Sequence, residues 1–582
     1  MQKKRFFSAA LAVMMLFSAC GINSTAPSDD VPTGEEPVIA YVPLDDRPNN
    51  YECMDYMAQS LGYKLLMPDV ELFSTRLNGE GGSKCGDRAA VYEWVLEQEK
   101  QGCDRYIIFM DQLLSGGLVN SRAMTESEPV TLSDGTVLSE EKMLSDLMET
   151  LGADENNRVW LLDTVMRLAP TVGYEHWTLE DYTNVRAYCA AERLNLEGGA
   201  LCSNNIIYTY RTAPDGSIIL PEDYGTTEEK VAESLAARAR KLTLSDMLFA
   251  AAGDNMRILF GIDDSSEQDC IQKNEINYLR SCLRDGDALL SGVDDMGFKA
   301  LARLYLDELG WQGDTATVRY FGENEDKNAS DFDYRPLKEI VAEHMNFFDL
   351  EPAADAELQI LVLTQPADGS MSKKYCRDLL KTLNENFENG RPTMLMDAGN
   401  TGYGDYFRNM LIDKAELGKL IAYSGTLDLA NLTGTALSHG VARYAFLKYD
   451  HETQQTARGF MKCLGDVLLK DMAYRTRARA EVADFVMGIG GNPDNFRDPA
   501  IDESEVREYM ADRMNELDDD IIDNLRHSNF ITGIEPYDEL GWGSIEFAEI
   551  RFPWSRTFEI TMDVLVGNPV EPHEKTAGIY FK

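Results

Sequence analysis

Aspartates stand directly after several apolar runs of this chain, and three of these positions are doublets. The doublets are Asp45-Asp46, Asp263-Asp264 and Asp294-Asp295, and single aspartates occupy Asp111, Asp163 and Asp397. One aspartate is enough to cap a helix that follows a strand. A second carboxylate beside it adds repulsion unless a ligand, an arginine or a proton offsets its charge. The doublets therefore predict a polar site where the ends of several strands meet.

Paired carboxylates without a histidine partner suit two kinds of chemistry. The first is glycoside hydrolysis, in which one carboxyl group donates a proton and another acts as base, nucleophile or substrate-orienting group. The second is the binding of a divalent cation by clustered oxygen ligands, with calcium or magnesium favoured over zinc. We predict Asp263 and Asp264 to be the catalytic pair of a carbohydrate-active hydrolase. No cofactor is expected, and calcium or magnesium is the alternative left open.

Further polar residues near the same strand ends are predicted to bind the substrate. They are Asp45, Asp46, Arg47, Asn50, Asp111, Arg122, Asp163, Arg167, Asp294, Asp295 and Asn431. The arginines would pair with carboxylates, because so many negative charges at one edge would otherwise raise one another's pKa values. A paired carboxylate stays ionised while an unpaired neighbour keeps the proton that general-acid catalysis needs. The alternative is that these residues form buried ion pairs that only hold the strand ends together.

Short apolar runs alternate with stretches of helical period from residue 37 onward. Strands are predicted at 38–44, 64–67, 106–110, 159–162, 258–262, 288–293, 318–321, 359–364, 394–396 and 420–423. Apolar strands separated by helices are typical of a parallel sheet covered on both faces. The pattern predicts an α/β fold with a (β/α)8-like barrel over residues 37–365, with a doubly wound parallel sheet as the alternative. In both folds ligands bind at the carboxyl ends of the strands.

The remainder of the chain is predicted to add two regions to this core. Residues 366–450 would form a second α/β region, and residues 451–582 an acidic helical region with a C-terminal β element. Polar and apolar residues alternate over 557–566, which indicates a half-buried antiparallel strand. No two matching halves are visible in the sequence. This disfavours a solute- or glycan-binding lipoprotein, which stays an alternative together with a calcium- or magnesium-dependent hydrolase.

The amino terminus has the pattern of a bacterial lipoprotein signal peptide over residues 1–19. Lys3, Lys4 and Arg5 precede an apolar run over 6–17, and small residues stand just before Cys20. Cys20 is the predicted lipidation site, and the polar stretch over 20–36 is the predicted flexible tether. The alternative is an ordinary secretory cleavage near Ala19. We predict an exported cell-membrane lipoprotein that faces the extracellular side or the periplasm.

The charge of the chain excludes some partners. Lys and Arg number 55 against 99 Asp and Glu, which makes the formal net charge −44. Such a surface repels phosphate backbones and anionic headgroups, so no nucleic acid is expected and the only predicted membrane contact is the lipid anchor. The expected partner is a carbohydrate or another small neutral substrate. The cysteines form no C-x-x-C pair, which disfavours a structural zinc site.

Several motifs resemble the bacterial domain-of-unknown-function family numbered 4127. They include Val42-Pro43-Leu44-Asp45-Asp46-Arg47-Pro48, Ser121-Arg122, Met166-Arg167, Gly292-Val293-Asp294-Asp295 and Phe552-Pro553-Trp554-x-Arg556-x-Phe558-Glu559. The resemblance extends over nearly everything after the tether, and it implies no activity. One departure is Thr426-Leu427-Asp428, where the family usually carries Trp-Asn-Thr.

A second likeness concerns one doublet. An aspartate doublet at a strand end is similar to β-N-acetylglucosaminidases that use neighbouring-group catalysis. In those enzymes the first aspartate orients the substrate acetamide and the second is the general acid/base. The likeness implies the first role for Asp263 and the second for Asp264.

Overall fold

The computed structural model describes residues 36–77, 82–265, 269–327, 333–364, 373–399, 405–425, 428–528, 541–542, 544–567 and 569–570. The predicted signal peptide, the lipidation site Cys20 and all of the predicted tether except its last residue lie outside the described residues. Within the described part, no helix combines the length and the hydropathy needed to cross a bilayer.

Six parallel strands form the first sheet, in the order β2-β1-β3-β6-β7-β8. The strands in this part of the chain are β1 Val38–Val42, β2 Lys64–Leu66, β3 Arg105–Phe109, β4 Val130–Thr131, β5 Val137–Leu138, β6 Arg158–Val165, β7 Met256–Ile262 and β8 Ala288–Ser291. Strands β4 and β5 pair only with each other, as an antiparallel ribbon. The central strands of the sheet are buried along almost their whole length, which explains their nearly continuous apolar sequences.

Five parallel strands form the second sheet, in the order β10-β9-β11-β12-β13. They are β9 Asp314–Phe321, β10 Leu350–Pro352, β11 Leu358–Leu363, β12 Thr393–Asp397 and β13 Leu420–Ser424. In each sheet the second strand along the chain lies at one edge and the first strand lies between the second and the third. This is the order of a doubly wound sheet, which binds ligands where the strand order reverses.

The mixed α/β class and the parallel strands are confirmed, whereas a closed (β/α)8 barrel is not. Among the described strands, β8 ends the first sheet and β9 begins another, so the strands predicted at 318–321 and 359–364 belong to the second sheet. Periodicity identifies buried parallel strands but does not say which strands are neighbours. The two sheets also share a strand order, although the sequence shows no matching halves.

Helices connect the strands and cover both sheets. They are Glu52–Ser60, Arg88–Lys100, Met110–Ser115, Leu118–Ser121, Glu140–Gly152, Leu179–Ala190, Ser203–Thr209, Glu228–Ala251, Gln272–Cys282, Met296–Leu309, Leu337–Phe347, Lys373–Glu388, Asp405–Lys414, Leu429–Tyr449, Gln454–Val467, Arg479–Gly488 and Glu503–His527. A π-helical segment, Leu468–Ala478, joins two of the helices without a break. Such segments are rare and occur frequently at functional sites.

Two packed helices join the sheets. Leu429–Tyr449 packs on β12 and β13 of the second sheet and on the helix Met296–Leu309, which in turn contacts β3, β6 and β7 of the first. The two helices approach so closely that a Cβ atom at Gly434 would lie 1.4 Å from Oδ2 of Asp295. Glycine at position 434 thus permits the contact that brings the ends of the two sheets together.

The C-terminal part forms a small antiparallel pair of strands, as the alternating pattern predicts. Strand β15, Ile545–Arg551, pairs with β16, Thr561–Val566, and β14, Gly541–Trp542, pairs with β17, Pro569–Val570. The prediction is wrong over 557–560, which precedes β16. Phe558 is 42 % exposed although its position predicted burial, and Glu559 is 5 % exposed although its position predicted exposure. Glu559 is buried because it faces three arginines.

Candidate active site

A cavity of about 700 Å³ lies at the carboxyl ends of strands of the first sheet. Its wall is completed by the start of the helix Leu429–Tyr449, by the π-helical segment and by residues 552–560. The charged residues of the wall are Arg47, Arg122, Arg167, Arg475, Arg479, Arg556, Asp263, Asp264, Asp294, Asp428, Asp494 and Glu559. Aromatic side chains of Tyr182, Tyr334, Trp554 and Phe558 stand among them.

Arg47, which follows strand β1 and lines the cavity, binds two carboxylates. Its Nη1 and Nη2 donate to Asp294 at 2.9 and 2.6 Å, and its Nε and Nη2 donate to Asp45 at 3.0 and 2.8 Å. Burial acts to raise the pKa of Asp294, but the positive charge of Arg47 and its two hydrogen bonds outweigh burial and hold that pKa below its ordinary value. Asp294 is therefore an ionised carboxylate at neutral pH.

The doublet that directly follows β7 meets two other arginines. Arg122 donates from Nε to Oδ2 of Asp263 at 2.8 Å, and the Asp264 amide donates to the other oxygen of Asp263 at 2.9 Å. Burial raises the pKa of Asp263, and Arg122 only partly counters that effect. Arg167 donates from Nη1 to Oδ2 of Asp264 at 3.1 Å. The Asp264 side chain is 25 % exposed, against 5 % for Asp263.

Asp428 caps the helix Leu429–Tyr449 and also lines the cavity. One of its oxygens accepts hydrogen bonds from the amides of Ala430 and Asn431, at 3.0 and 3.3 Å. The pKa of Asp428 is raised well above its ordinary value, first by burial and then by the negative charges of Asp333, Asp264 and Asp294. Burial and these charges favour the protonated form of Asp428 over its ionised form.

Trp554 links the C-terminal segment to the first doublet. Its Nε1 donates to Oδ1 of Asp46 at 3.0 Å, and the guanidinium carbon of Arg47 lies 4.6 Å from the centre of its ring. Asp46 also accepts a hydrogen bond from the amide of Thr75, at 3.3 Å. Burial, followed by the charge of Asp45, raises the pKa of Asp46 to about 7.

The sequence matches the model of a family described as protein of unknown function (DUF4127), over residues 39–195 and 226–563. The chain belongs to this family. No curated protein and no solved structure matches the chain. The family resemblance of the motifs is thereby confirmed, and it adds no activity, so function rests on the geometry of the site.

Eight of the residues predicted for the site of this DUF4127 protein line one cavity. They are Arg47, Asn50, Arg122, Arg167, Asp263, Asp264, Asp294 and Asn431. Two further predicted residues, Asp45 and Asp46, lie behind the wall, where they hold Arg47 and Trp554. The strand ends thus bring together residues more than 300 positions apart in the sequence.

Asp111, Asp163 and Asp295 do not line this cavity. Lys241 donates from Nζ to Asp111 at 2.7 Å and also to Asp163, whose second oxygen accepts from Ser245 at 2.5 Å. Strand β6 continues to Val165, so Asp163 is inside the strand rather than after it. Asp295 is fully buried and pairs with Lys299 at 2.8 Å.

The prediction missed several residues of the cavity. They are Tyr182, Asp428, Arg475, Arg479, Trp554, Arg556, Phe558 and Glu559. Within the DUF4127 motif at 552–559, the alternating pattern assigned the last residues to a strand, which hid their polar role. Asp428 itself was the other available signal, because a carboxylate just before a long apolar stretch stands at the start of the helix Leu429–Tyr449.

Metal binding was the other chemistry considered. Among the described residues, no group of three or more His, Cys, Asp or Glu side chains is arranged to hold a metal ion. The carboxylates of Asp263, Asp264 and Asp294 each contact an arginine instead.

Proposed function

We propose that this protein is a carbohydrate-active hydrolase that cleaves a glycosidic bond in the cavity. The observation that carries the proposal is a pair of carboxyl groups in different electrostatic environments on one cavity. Asp428 has a raised pKa, while Asp264 is partly exposed beside Arg167. Glycoside hydrolysis needs one protonated and one ionised carboxyl group on either side of the scissile bond.

In the proposed reaction Asp428 donates its proton to the oxygen of the leaving group as the glycosidic C–O bond breaks. The carboxylate of Asp264 faces the sugar, as nucleophile or as the base that takes a proton from the attacking water. Asp263 is a positioning residue, because both of its oxygens are engaged by Arg122 and by the Asp264 amide. The aromatic side chains of Tyr182 and Trp554 supply surfaces against which sugar rings pack.

A panel of chromogenic neutral and acidic glycosides tests the proposal. The unmodified protein should hydrolyse at least one of them. Asp264→Asn and Asp428→Asn should each lower kcat by at least about a hundredfold, the size of a lost general acid or base. Asp285→Asn, at an exposed position outside the cavity, is the matched control and should leave kcat unchanged.

The pH profile gives a second test of the role of Asp428. A general acid works only while protonated, so activity should fall as the pH rises through the pKa of Asp428. The alkaline side of the profile should disappear in Asp428→Asn. Undiminished turnover in either Asp264→Asn or Asp428→Asn would refute the assignment.

Binding without catalysis is the second candidate function. It is favoured by the shared strand order of the two sheets, with a cavity lined from the ends of β7 and β8 and from the segment that follows β13. A binding protein would retain a bound sugar unchanged over time. Its affinity for that sugar would survive Asp428→Asn, because no proton transfer is involved.

We also propose that the protein is exported and anchored to the membrane through a diacylated Cys20. The basic residues Lys3 to Arg5, the apolar run over 6–17 and the small residues before Cys20 support this location. Two acyl chains anchor a protein stably. Cys20→Ala should therefore move the protein from the membrane fraction to the soluble fraction, and unchanged membrane retention would contradict the proposal.

A further inference from the structure

One end of the cavity contains two arginines that lack a close carboxylate partner. The other four arginines of the cavity each lie within 3.1 Å of a carboxylate oxygen, in the pairs Arg47–Asp294, Arg122–Asp263, Arg167–Asp264 and Arg475–Asp471. The nearest carboxylate to Arg556 is Glu559, at 3.9 Å from Nη2. Among the described residues, no carboxylate lies within 4.0 Å of Arg479.

The two guanidinium groups are neighbours on one aromatic ring. The guanidinium carbons of Arg479 and Arg556 each lie 4.8 Å from the centre of Phe558, and that of Arg556 also lies 4.6 Å from Trp554. Phe558 is 42 % exposed, so the ring and both cations border the open space. Stacking on aromatic rings fixes the plane of each guanidinium group and leaves its N–H edge free to bind.

Neither arginine has a carboxylate at hydrogen-bond distance among the described residues. Glu559 is shared among three arginines, because it lies 3.9 Å from Arg47, from Arg475 and from Arg556. The Nε atom of Arg556 is buried and has no hydrogen-bond partner in the part of the chain that the structure describes. Burial lowers the pKa of Arg556 to about 10, and the charge of Glu559 only partly counters this. A buried cation without a close anion is unfavourable, so an incoming anion would be bound strongly.

We propose that Arg479 and Arg556 bind an anionic group of the substrate, namely a carboxylate, a sulfate or a phosphate. The N–H groups of a guanidinium match the paired oxygens of such anions in a two-pronged arrangement. If this anion site is combined with the proposed hydrolase function, the substrate is an acidic carbohydrate. The identification of a sugar rests on that proposed function. This replaces the neutral substrate expected from the net charge of −44, because the two arginines at this end of the cavity, and not the total charge of the chain, would contact the substrate.

Equilibrium binding tests the inference without requiring turnover. The probes are D-glucose as the neutral reference, with D-glucuronate, glucose 6-sulfate and glucose 6-phosphate as the three anionic forms. Isothermal titration calorimetry at low salt should show at least one acidic sugar binding about tenfold tighter than glucose, since charge-assisted hydrogen bonds are made only to the anion. Which of the three binds best identifies the anionic group.

Three variants locate the effect. Arg479→Gln and Arg556→Gln should each remove most of the preference for the acidic sugar, because each weakens binding of that sugar far more than binding of glucose. Arg556→Lys keeps the charge without the two-pronged geometry and should retain part of the preference. The matched control is Arg477→Gln, because Arg477 lies two residues before Arg479, is 37 % exposed and pairs outside the cavity with Asp405 and Glu481.

Each outcome decides the matter. If no acidic sugar binds better than glucose, or if the preference survives in both Arg479→Gln and Arg556→Gln, the inference is wrong. A different result separates the two proposals. If the unmodified protein prefers an acidic sugar, and the arginine variants lose this preference, but no glycoside is hydrolysed, the hydrolase proposal is wrong and the anion site is supported.

Discussion

Two groups of aspartates at the end of the first sheet contain the same residue types in different surroundings. Asp111 and Asp163 enclose Lys241, and the three side chains are 6 % exposed or less. Asp263 and Asp264 pair with arginines on the wall of the cavity, where the Asp264 side chain is 25 % exposed. The first group is sealed inside the protein, while the second reaches the space that a substrate would occupy.

The difference comes from where each aspartate stands relative to its strand. Asp163 lies within β6, two residues before the strand ends at Val165, and its side chain contacts the covering helix Glu228–Ala251. Asp264 is two residues past the end of β7, and it lines the cavity. Residue type alone therefore does not separate a structural ion pair from a candidate catalytic residue. Whether the aspartate lies inside the strand or just past its end decides between the two surroundings.

The largest effect is expected in the sealed group. Lys241→Met should lower the free energy of unfolding by about 3–5 kcal/mol, because it leaves two carboxylates buried without their cation. Urea denaturation of the variant and of the unmodified protein measures this difference. A loss below about 1 kcal/mol would mean that water reaches these aspartates, which would remove the contrast with the cavity.

A surface lysine provides the control for this variant. Lys273 pairs with Asp269 four residues earlier on the chain, and the two side chains are 23 % and 59 % exposed. Lys273→Met should change the free energy of unfolding by less than about 1 kcal/mol, as is usual for exposed ion pairs. The same substitution type thus compares a buried with an exposed cation.

A smaller effect on stability is expected at Asp46. This residue is largely buried and has no salt-bridge partner among the described residues. Its pKa is raised from 3.8 to about 7 in the folded protein. Between these pH values the folded state binds more protons than the unfolded state, so stability from this group falls as the pH rises. Asp46→Asn removes that loss. The free energy of unfolding of Asp46→Asn, relative to that of the unmodified protein, should rise by about 2–4 kcal/mol as the pH increases from about 4 to about 7.

The measurement for Asp46 is urea denaturation at several pH values. The difference in the free energy of unfolding between Asp46→Asn and the unmodified protein should grow with pH and level off above the pKa of Asp46. The control Asp285→Asn should show no such trend. An equal change at every pH would show a lost hydrogen bond to Trp554 rather than a titration.

Much of the fold could be predicted from the sequence. Apolar runs of strand length identify the parallel strands, because a strand buried on both faces has no polar side. The closed barrel is not confirmed, and the sequence pattern could not decide it because both doubly wound sheets and barrels alternate strands with helices. Only the pairing partners of β8 and β9 separate them, and no local pattern records a pairing between distant strands.

The cavity was predictable in part. The arginines at 47, 122 and 167 were identified because they follow strand-end aspartates in the sequence. Arg479, Arg556 and Phe558 were not, because they come from a helix and a loop that reach the cavity only after the chain has folded. Long-range packing of this kind places side chains without a local sequence signal.

The smallest effect, and the sharpest comparison, lies within the doublet itself. Asp264→Asn should change the free energy of unfolding by less than about 1 kcal/mol, since its side chain is nearly isosteric and partly solvated. Asp263→Asn should cost about 2–3 kcal/mol, because Arg122 is buried and loses its ionic partner. Thermal and urea denaturation of both variants measures the contrast. If Asp264→Asn is as destabilising as Asp263→Asn, both aspartates are structural, and the cavity resembles the sealed group around Lys241 rather than an active site.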